Sequence, residues 1–331
     1  MRPSFRIAVL GALALAACSR PKPSPAGLAR ANARFDFRPT AWEAYPPEEA
    51  PKKHLVQELL CAGACDPLCG SLDPRDSARC ALDFVYAEDT DARDVARELF
   101  ELTGTLPGLE KARDIDAAHL GRLPVVPVVP MGEYRRHLVW VRDALTDIEK
   151  TFADVARKAP RAVMFRTRPY GFRFFKTQER SYPSAYAFEG IIGYNVEGPL
   201  HDSAESVTST LLHEVFHLND EGRGMWTTRV LAPIFEHIVA VCGDDHECLT
   251  PYAPSDDLTE GGTYYPFDSR TRDVREYGAE LALRWFREVR EPSATPFKCV
   301  AAENEIAWQS LVEEFFGGFD PAAPCRDESR E

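Results

Sequence analysis

Residues 211–218 read Leu-Leu-His-Glu-Val-Phe-His-Leu, a His-Glu-x-x-His pattern flanked by apolar residues. On an α-helix, positions four apart lie on one face, so His213 and His217 can direct a ring nitrogen at the same metal ion. Glu214 then lies beside a water at that ion. Because the 331 residues include only eight His, an accidental match is rare. The pattern predicts a two-histidine zinc site; the alternative is that both His are satisfied polar groups of a buried helix.

The flanks of this motif are typical of a helix inside the fold. Ser203 or Ser206 can cap its start, because either hydroxyl can accept from a free backbone N–H of the first turn. His201, in the loop before the helix, could contact substrate, but we expect it to be solvated, as a loop His commonly is. Apolar side chains surround the two His on the helix: Leu211, Leu212, Val215, Phe216 and Leu218.

A catalytic zinc site has three protein ligands and keeps a position open for water, so a third ligand is needed. One class of metallopeptidase places a third His six residues after the second, but Arg223 stands there in this chain. Downstream, residues 271–289 have the apolar spacing of a helix that carries Glu276 and Glu280 on one face. We expect Glu276 as the ligand and Glu280 as the acceptor for the other ring N–H of a ligating His, with Glu280 and Asp273 as substitutes for the ligand.

The segment Glu276-Tyr-Gly-Ala-Glu280, 59 residues after the second His, resembles the gluzincin arrangement of anthrax lethal factor-like metallopeptidases. Those proteins place a Glu ligand in a Glu-x-x-Ala-Glu helix downstream of the His-Glu-x-x-His motif. The resemblance implies that His213, His217 and Glu276 bind Zn²⁺, that Glu214 is the general base and that Glu280 supports the ligands.

The same resemblance implies an α+β, zincin-like fold with an active-site helix and a small mixed sheet, over about residues 185–290. The family also uses a Tyr before the Glu ligand to polarise the substrate carbonyl; Tyr264 and Tyr265 are the candidates, because the family's position, seven residues before Glu276, is Ser269 here. Zincins bind peptide as an extra strand on a sheet edge, and we expect residues 185–194 to form that edge. Fungal aspzincins are a competing likeness, since Asp273 precedes Tyr277-Gly278, but their spacing differs by one residue.

The N-terminus indicates export. Arg2 and Arg6 precede an apolar run over residues 7–17 that ends in Leu15-Ala-Ala-Cys18, the pattern of a lipoprotein signal peptide. An eleven-residue helix spans only about 16 Å, well short of a bilayer core of ~30 Å, so the run targets the chain and does not anchor it as a span. Cys18 is the expected lipidation site; the alternative is an ordinary cleaved signal in which Cys18 is incidental.

The cysteines fit the same interpretation. The chain has nine Cys, and eight remain if Cys18 carries a lipid, an even number that suits disulfides in an oxidising compartment. Proximity predicts the pairs Cys242–Cys248 and Cys299–Cys325. Two further bridges are expected within a cluster that a metal could also bind: Cys61, Cys65, Cys69 and Cys80.

The chain divides into four predicted parts: a signal peptide (1–17), a tether (18–55), a Cys-rich N-terminal subdomain (56–130) and the catalytic domain (131–331). Apolar periodicity predicts helices over residues 91–102, 133–158 and 271–289. Predicted strands cover residues 161–165, 172–176 and 185–194, and the proline-broken run 123–130 is an edge strand or extended connector.

The net charge of −13 argues against nucleic acid as a partner, because the chain has no excess of Lys and Arg to neutralise phosphates. The sequence as a whole predicts an exported, lipid-anchored zinc endopeptidase that hydrolyses a peptide or protein substrate. Two alternatives remain: a non-catalytic surface lipoprotein with a zincin fold, and a zinc amidase acting on cell-wall material. The oligomeric state is not indicated.

Overall fold

The computed structural model describes residues 51–61, 66–116, 122–177, 183–259, 261–270 and 272–325. The expected signal peptide, Cys18 and the tether up to residue 50 lie outside the described residues, as does Cys65. The described residues belong to one unit of the chain. None of their helices is both long and apolar enough to cross a bilayer.

The fold combines helices with one mixed sheet and is of the predicted α+β class. The helices are α1 (Lys53–Val56), α2 (Asp66–Cys69), α3 (Pro74–Val85), α4 (Thr90–Thr103), α5 (Arg135–Lys158), α6 (Ala204–Gly222), α7 (Trp226–Val230), α8 (Ala232–Cys242), α9 (His246–Leu249), α10 (Val274–Arg290) and α11 (Ala302–Phe315). A π-helical turn covers Gln57–Cys61, and 3₁₀ turns cover Gly132–Tyr134, Thr250–Tyr252, Tyr265–Phe267 and Phe297–Cys299. The strands are β1 (Leu106–Leu109), β2 (Arg113–Asp116), β3 (Arg122–Pro127), β4 (Gly171–Thr177), β5 (Ala185–Phe188) and β6 (Ile191–Asn195).

The strands pair in the order β2-β3-β4-β6-β5, and β1 also pairs with β4. β1, β4 and β6 are parallel, whereas β5 runs antiparallel to β6 and ends the order. β1 and β3 pair with different parts of β4, at residues 171–174 and 175–177. The one sheet is therefore built from strands before residue 130 (β1–β3) and strands after it (β4–β6). β5 is an outer strand among those described.

The hydrophobic core lies between the sheet and the long helices. α5 follows the predicted periodicity, and its buried apolar residues are Leu138, Val141, Ala144, Leu145, Ile148, Phe152 and Val155. α5 packs against α4 and α6, and α6 packs against α10. An aromatic cluster ties α5 to α10: the rings of Phe152 and Trp285 are 5.6 Å apart, and Trp285 stacks on Phe316 at 3.6 Å. This packing fixes α6 and α10 in the interior.

The predicted strand over residues 185–194 is a hairpin and not one strand. β5 and β6 are joined by Glu189 and Gly190, both at positive φ (47° and 80°), as two-residue hairpin turns require. Apolar content does not show where a strand folds back, but Glu-Gly between two apolar runs was a usable signal. The ring of Tyr186 covers Gly193 on the opposite strand, where a Cβ would lie 2.0 Å from a ring carbon.

Two other strand predictions need correction. Residues 161–165 form an irregular connection, because the N–H groups of Met164 and Phe165 donate to the carbonyl of Phe315 at the end of α11 and not to a neighbouring strand. Their apolar content serves the core instead, since Phe165 stacks on Phe152 at 4.6 Å. The proline-broken run forms β3, which lies between β2 and β4 and not at the edge.

The disulfides agree with the predicted local pairs. Cys242 bonds Cys248 and Cys299 bonds Cys325, as proximity suggested. Cys69 bonds Cys80 within the first cluster, and Cys61 is also disulfide-bonded. These bonds support the disulfide interpretation of the cluster over the metal-site alternative.

His201 is buried and not solvated, contrary to expectation, because it packs into an aromatic site. Its ring lies 3.8 Å from the ring of Tyr194 and parallel to it, and its Nδ1 donates to the carbonyl of Asn195 at 2.7 Å. On the other side, the Tyr194 hydroxyl is 3.0 Å from Nδ1 of the buried His137. Burial lowers the pKa of His137 to about 3 and that of His201 to about 4; the nearby Arg136 acts in the same direction on His137, and Asp202 acts against it on His201.

These two rings predict an acid-sensitive fold. Below pH 6.5 both rings are protonated in the unfolded chain. In the folded chain His201 stays neutral down to about pH 4 and His137 down to about pH 3. The free energy of unfolding should therefore fall by on the order of 1 kcal/mol per ring between pH 6.5 and 5, measured by urea unfolding. His137→Asn and His201→Asn, which keep a side-chain group near Nδ1, should each show a smaller fall. An equal fall in the variants and wild type would contradict the assignment; the exposed His54→Gln is the control.

Candidate metal centre

The motif lies where the spacing predicted, on helix α6. The helix begins at the N-cap Ser203, whose hydroxyl accepts from the N–H of Ser206 at 3.1 Å. Its buried face includes Leu211, Leu212, Val215, Phe216 and Leu218. His213 and His217 therefore project from one side of a helix held in the core.

Helix α10 supplies the carboxylates. It begins at Asp273, whose side chain accepts from the N–H of Arg275 at 2.8 Å, so this substitute ligand serves as the N-cap. Glu276 and Glu280 follow one turn apart on the side of α10 that faces α6. Both potential Glu ligands thus come from a single rigid element.

The two helices approach closely at Gly278. A Cβ there would lie 2.4 Å from Cγ2 of Thr227 on α7 and 3.2 Å from the ring of Phe216 on α6. Only Gly leaves room for these contacts without moving α10 outward. The small residue between the two carboxylates therefore sets the separation of the helices that carry the site.

Three side chains converge and could hold a metal ion: His213, His217 and Glu276. The Nε2 atoms of the two His are 3.0 Å apart, and the Glu276 oxygens lie 3.0 Å from Nε2 of His213 and 3.4 Å from Nε2 of His217. Ligand atoms around a tetrahedral zinc ion at ~2.05 Å are about 3.3 Å apart. The observed separations match that value, so the residues present fit zinc with little rearrangement.

Glu280 contacts the nitrogen of the His213 ring that faces away from Glu276. Its Oε1 is 2.9 Å from Nδ1 of His213, so it accepts the ring N–H that faces away from the convergence point. This hydrogen bond fixes the ring orientation and leaves Nε2 directed at the other two side chains. The structure places Glu280 in the supporting position and Glu276 at the convergence point.

Hydrogen bonds between His213 and the two carboxylates shift the pKa values of these groups in opposite directions. Burial alone would lower the pKa of His213, but the hydrogen bonds to Glu276 and Glu280 raise it well above its ordinary value. Burial alone would raise the pKa of Glu276, but its hydrogen bonds to His213 and His217 hold it well below its usual range. A protonated His213 ring carries one positive charge against the two negative charges of Glu276 and Glu280, so a divalent cation at this place would balance the carboxylates more fully.

Glu214 points into the same region and has only 8% of its surface exposed. Burial raises the pKa of its carboxyl, while the charges of His217 and His213 pull it down. A carboxylate whose pKa moves up from 4.5 toward neutrality is better suited to accept and then return a proton.

The two Tyr candidates have different surroundings. Tyr265 remains 38% exposed, and its hydroxyl faces Glu276; burial of the hydroxyl and the charges of Glu276 and Glu214 raise its pKa, which keeps it protonated and able to donate. The hydroxyl of Tyr264 instead pairs with Thr250 at 3.0 Å, and its ring stacks on His246. Only Tyr265 of this pair reaches the carboxylates.

Two other His residues lie elsewhere. His237 is 3.6 Å from Glu303 on α11, and His201 packs on Tyr194. Asp220, a fully buried residue on α6, is not among the residues that the motif and its spacing single out. Its position three residues after His217, on the same helix face, was a signal that could have drawn attention to it.

No protein-family model, curated protein or solved structure matches this chain. What the site can do is therefore inferred from its own residues and their geometry.

The geometry predicts different roles for the two Glu residues of α10. Wild type should bind about one zinc ion per chain, and Glu276→Ala should lose most of this affinity because a ligand is removed. Glu280→Ala should weaken binding by about 10- to 100-fold, the usual effect of removing the partner of a ligating His. Both are measured by competition with a chelator at fixed pH.

Glu288, also buried on α10 and bonded to Arg284, provides the matched control, and Glu288→Ala should bind zinc as wild type does. A larger loss in Glu280→Ala than in Glu276→Ala would show that Glu280 is the ligand.

Proposed function

We propose that the protein is a zinc-dependent endopeptidase. The observation that carries the proposal is the convergence of His213, His217 and Glu276 at the separations expected around zinc, with Glu214 buried beside them. Two His and one carboxylate leave a coordination position for water, the arrangement of catalytic and not of structural zinc sites. When bound, zinc would supply a Lewis acid that acidifies water and polarises a carbonyl group.

In this proposal Glu214 moves the proton. Its carboxylate accepts a proton from the attacking water and later delivers it to the leaving amine. The raised pKa of Glu214, caused by burial, brings donor and acceptor closer in proton affinity and helps both transfers. Glu280 keeps the His213 ring in place throughout, through the Nδ1 hydrogen bond.

Tyr265 would stabilise the negative charge that develops on the carbonyl oxygen. Its hydroxyl is protonated, faces Glu276 and lies on a partly exposed side chain that a substrate can reach. A donor fixed before the reaction begins costs little reorganisation when charge develops.

Strand β5 is the proposed binding edge for an extended peptide. It ends the strand order and packs against α6; just beyond its two ends, Leu200 N–H donates to Ser184 Oγ at 3.4 Å and Glu189 N–H donates to Glu221 of α6 at 3.2 Å. A peptide added to β5 as a further strand would lie beside the helix that carries the motif. This favours a peptide over a sugar-containing substrate.

Export and lipid anchoring through Cys18 belong to the same proposal. Disulfides persist in oxidising compartments and are rare in the cytosol, so the bonds Cys69–Cys80, Cys242–Cys248 and Cys299–Cys325 support an extracytoplasmic location. An extracytoplasmic location would give the site access to peptides outside the cytoplasm.

Replacing Glu214 tests the proposed reaction. Glu214→Gln should lower kcat on a peptide library by about 10²- to 10⁴-fold, because the proton acceptor is lost, while zinc content stays at the wild-type level. Glu205→Gln, on the exposed first turn of α6, is the matched control and should retain activity.

The same preparations are assayed on peptidoglycan. Turnover there and not on peptides, with the same dependence on Glu214, would replace the endopeptidase by a cell-wall amidase. Zinc binding without Glu214-dependent turnover on either substrate would leave a non-catalytic protein.

The two neighbouring Tyr residues provide a matched pair. Tyr265→Phe should lower kcat by about 10²- to 10³-fold with a smaller change in KM, because the donated hydrogen bond is formed mainly in the transition state. Tyr264→Phe should change kcat little, since its hydroxyl pairs with Thr250. The assignment is wrong if Tyr264→Phe is the more damaging of the two.

A further inference from the structure

Asp220 is the most deeply buried carboxylate near the candidate metal centre, with 0% of its surface exposed. It lies on α6 three residues after His217, on the same helix face. Its oxygens accept from the backbone N–H of Thr227 at 2.7 Å and from the hydroxyl of Thr227 at 2.8 Å. Its own carbonyl accepts from the N–H of Met225 at 2.9 Å. Asp220 therefore closes the turn between α6 and α7.

The partner of Asp220 is also the residue against which α10 packs. The methyl group of Thr227 occupies the space where a Cβ on Gly278 would lie, 2.4 Å away. Gly278 stands between Glu276 and Glu280 in the sequence of α10. The position of Thr227, fixed by Asp220, thus sets how closely both carboxylates approach the two His.

A second contact reaches α10 directly. Arg275 Nε lies 3.7 Å from Oδ2 of Asp220, and Arg275 immediately precedes Glu276. Asp220 is fully buried, whereas the Arg275 side chain keeps 34% of its surface exposed, so the ion pair links the first turn of α10 to α6 from the solvent side. The Asp220 carboxylate thus contacts Thr227, against which α10 packs, and Arg275, the residue before Glu276.

We infer that Asp220 is a positioning residue that holds Glu276 in ligand geometry relative to His217, through Thr227 and Arg275. It does not contact the metal. The inference rests on the proposed metal site, but not on peptide hydrolysis. Neither the motif nor its spacing requires an acidic residue at this place.

The test measures zinc affinity by chelator competition and the visible spectrum of the cobalt-substituted protein, which responds to ligand number and geometry. Asp220→Ala should weaken zinc binding by about 10- to 100-fold and alter the cobalt spectrum, because Glu276 is no longer held. Thr227→Val, which removes only the hydroxyl bond, should cause a smaller change in the same direction. Asp220→Asn, which keeps one acceptor for the Thr227 N–H, should recover part of the affinity.

Asn304→Ala is the matched structural control. Asn304 is fully buried and donates to the carbonyls of Pro251 and Phe297, far from the motif in sequence and on another helix. Asn304→Ala should lower the Tm without changing the zinc affinity or the cobalt spectrum. If Asp220→Ala behaves like this control, the inference is overturned and Asp220 serves stability alone. If Asp220→Ala does not fold, wild-type affinity and spectrum in both Thr227→Val and Asp220→Asn overturn it equally.

The outcomes also separate this inference from the proposed function. If the wild type binds zinc tightly but cleaves no peptide, the endopeptidase proposal is contradicted. The zinc affinities of the Asp220 variants still test the positioning role in that case. A chain in which Glu214→Gln abolishes turnover but Asp220→Ala binds zinc normally supports the endopeptidase and rejects the positioning role. A wild type that binds no zinc contradicts both.

Discussion

Close packing of α6 against α10 creates the candidate metal centre. It brings His213 and Glu276, 63 residues apart in the chain, to within 3.0 Å. The contact is possible because Gly278 leaves no side chain between the helices, and because Glu276 and Glu280 each meet one nitrogen of the same ring. A buried carboxylate, Glu280, and a half-buried one, Glu276, would be costly in this interface without the imidazoles that pair with them, so the polar cluster and the helix packing require each other.

The sheet and the long helix α5 serve this arrangement from outside. α5 covers one side of α6, and the aromatic cluster of Phe152, Trp285 and Phe316 holds α10 in place. β5, an outer strand among those described, also contacts α6. Tyr265, whose hydroxyl faces Glu276, keeps part of its side chain exposed to solvent.

Periodicity predicted the long helices and the placement of the His and Glu side chains because those elements repeat over many turns. Local disulfides were predicted because short sequence separation is itself the evidence. Features set by contacts between distant segments were missed: the turn at Glu189-Gly190, the loss of a strand at residues 161–165 to a contact with Phe315, and the burial of His201 on Tyr194. The choice of Tyr265 over Tyr264 likewise depends on which hydroxyl the loop turns inward, which no spacing rule specifies.

We propose that one zinc ion binds between α6 and α10. A crystal structure of the zinc-loaded protein, with anomalous data collected on both sides of the zinc absorption edge, would locate the ion. We expect a single strong anomalous peak about 2.0–2.2 Å from Nε2 of His213, Nε2 of His217 and a carboxylate oxygen of Glu276, with Glu280 outside bonding distance. A peak elsewhere, or no peak at these residues in crystals grown with excess zinc, would contradict it.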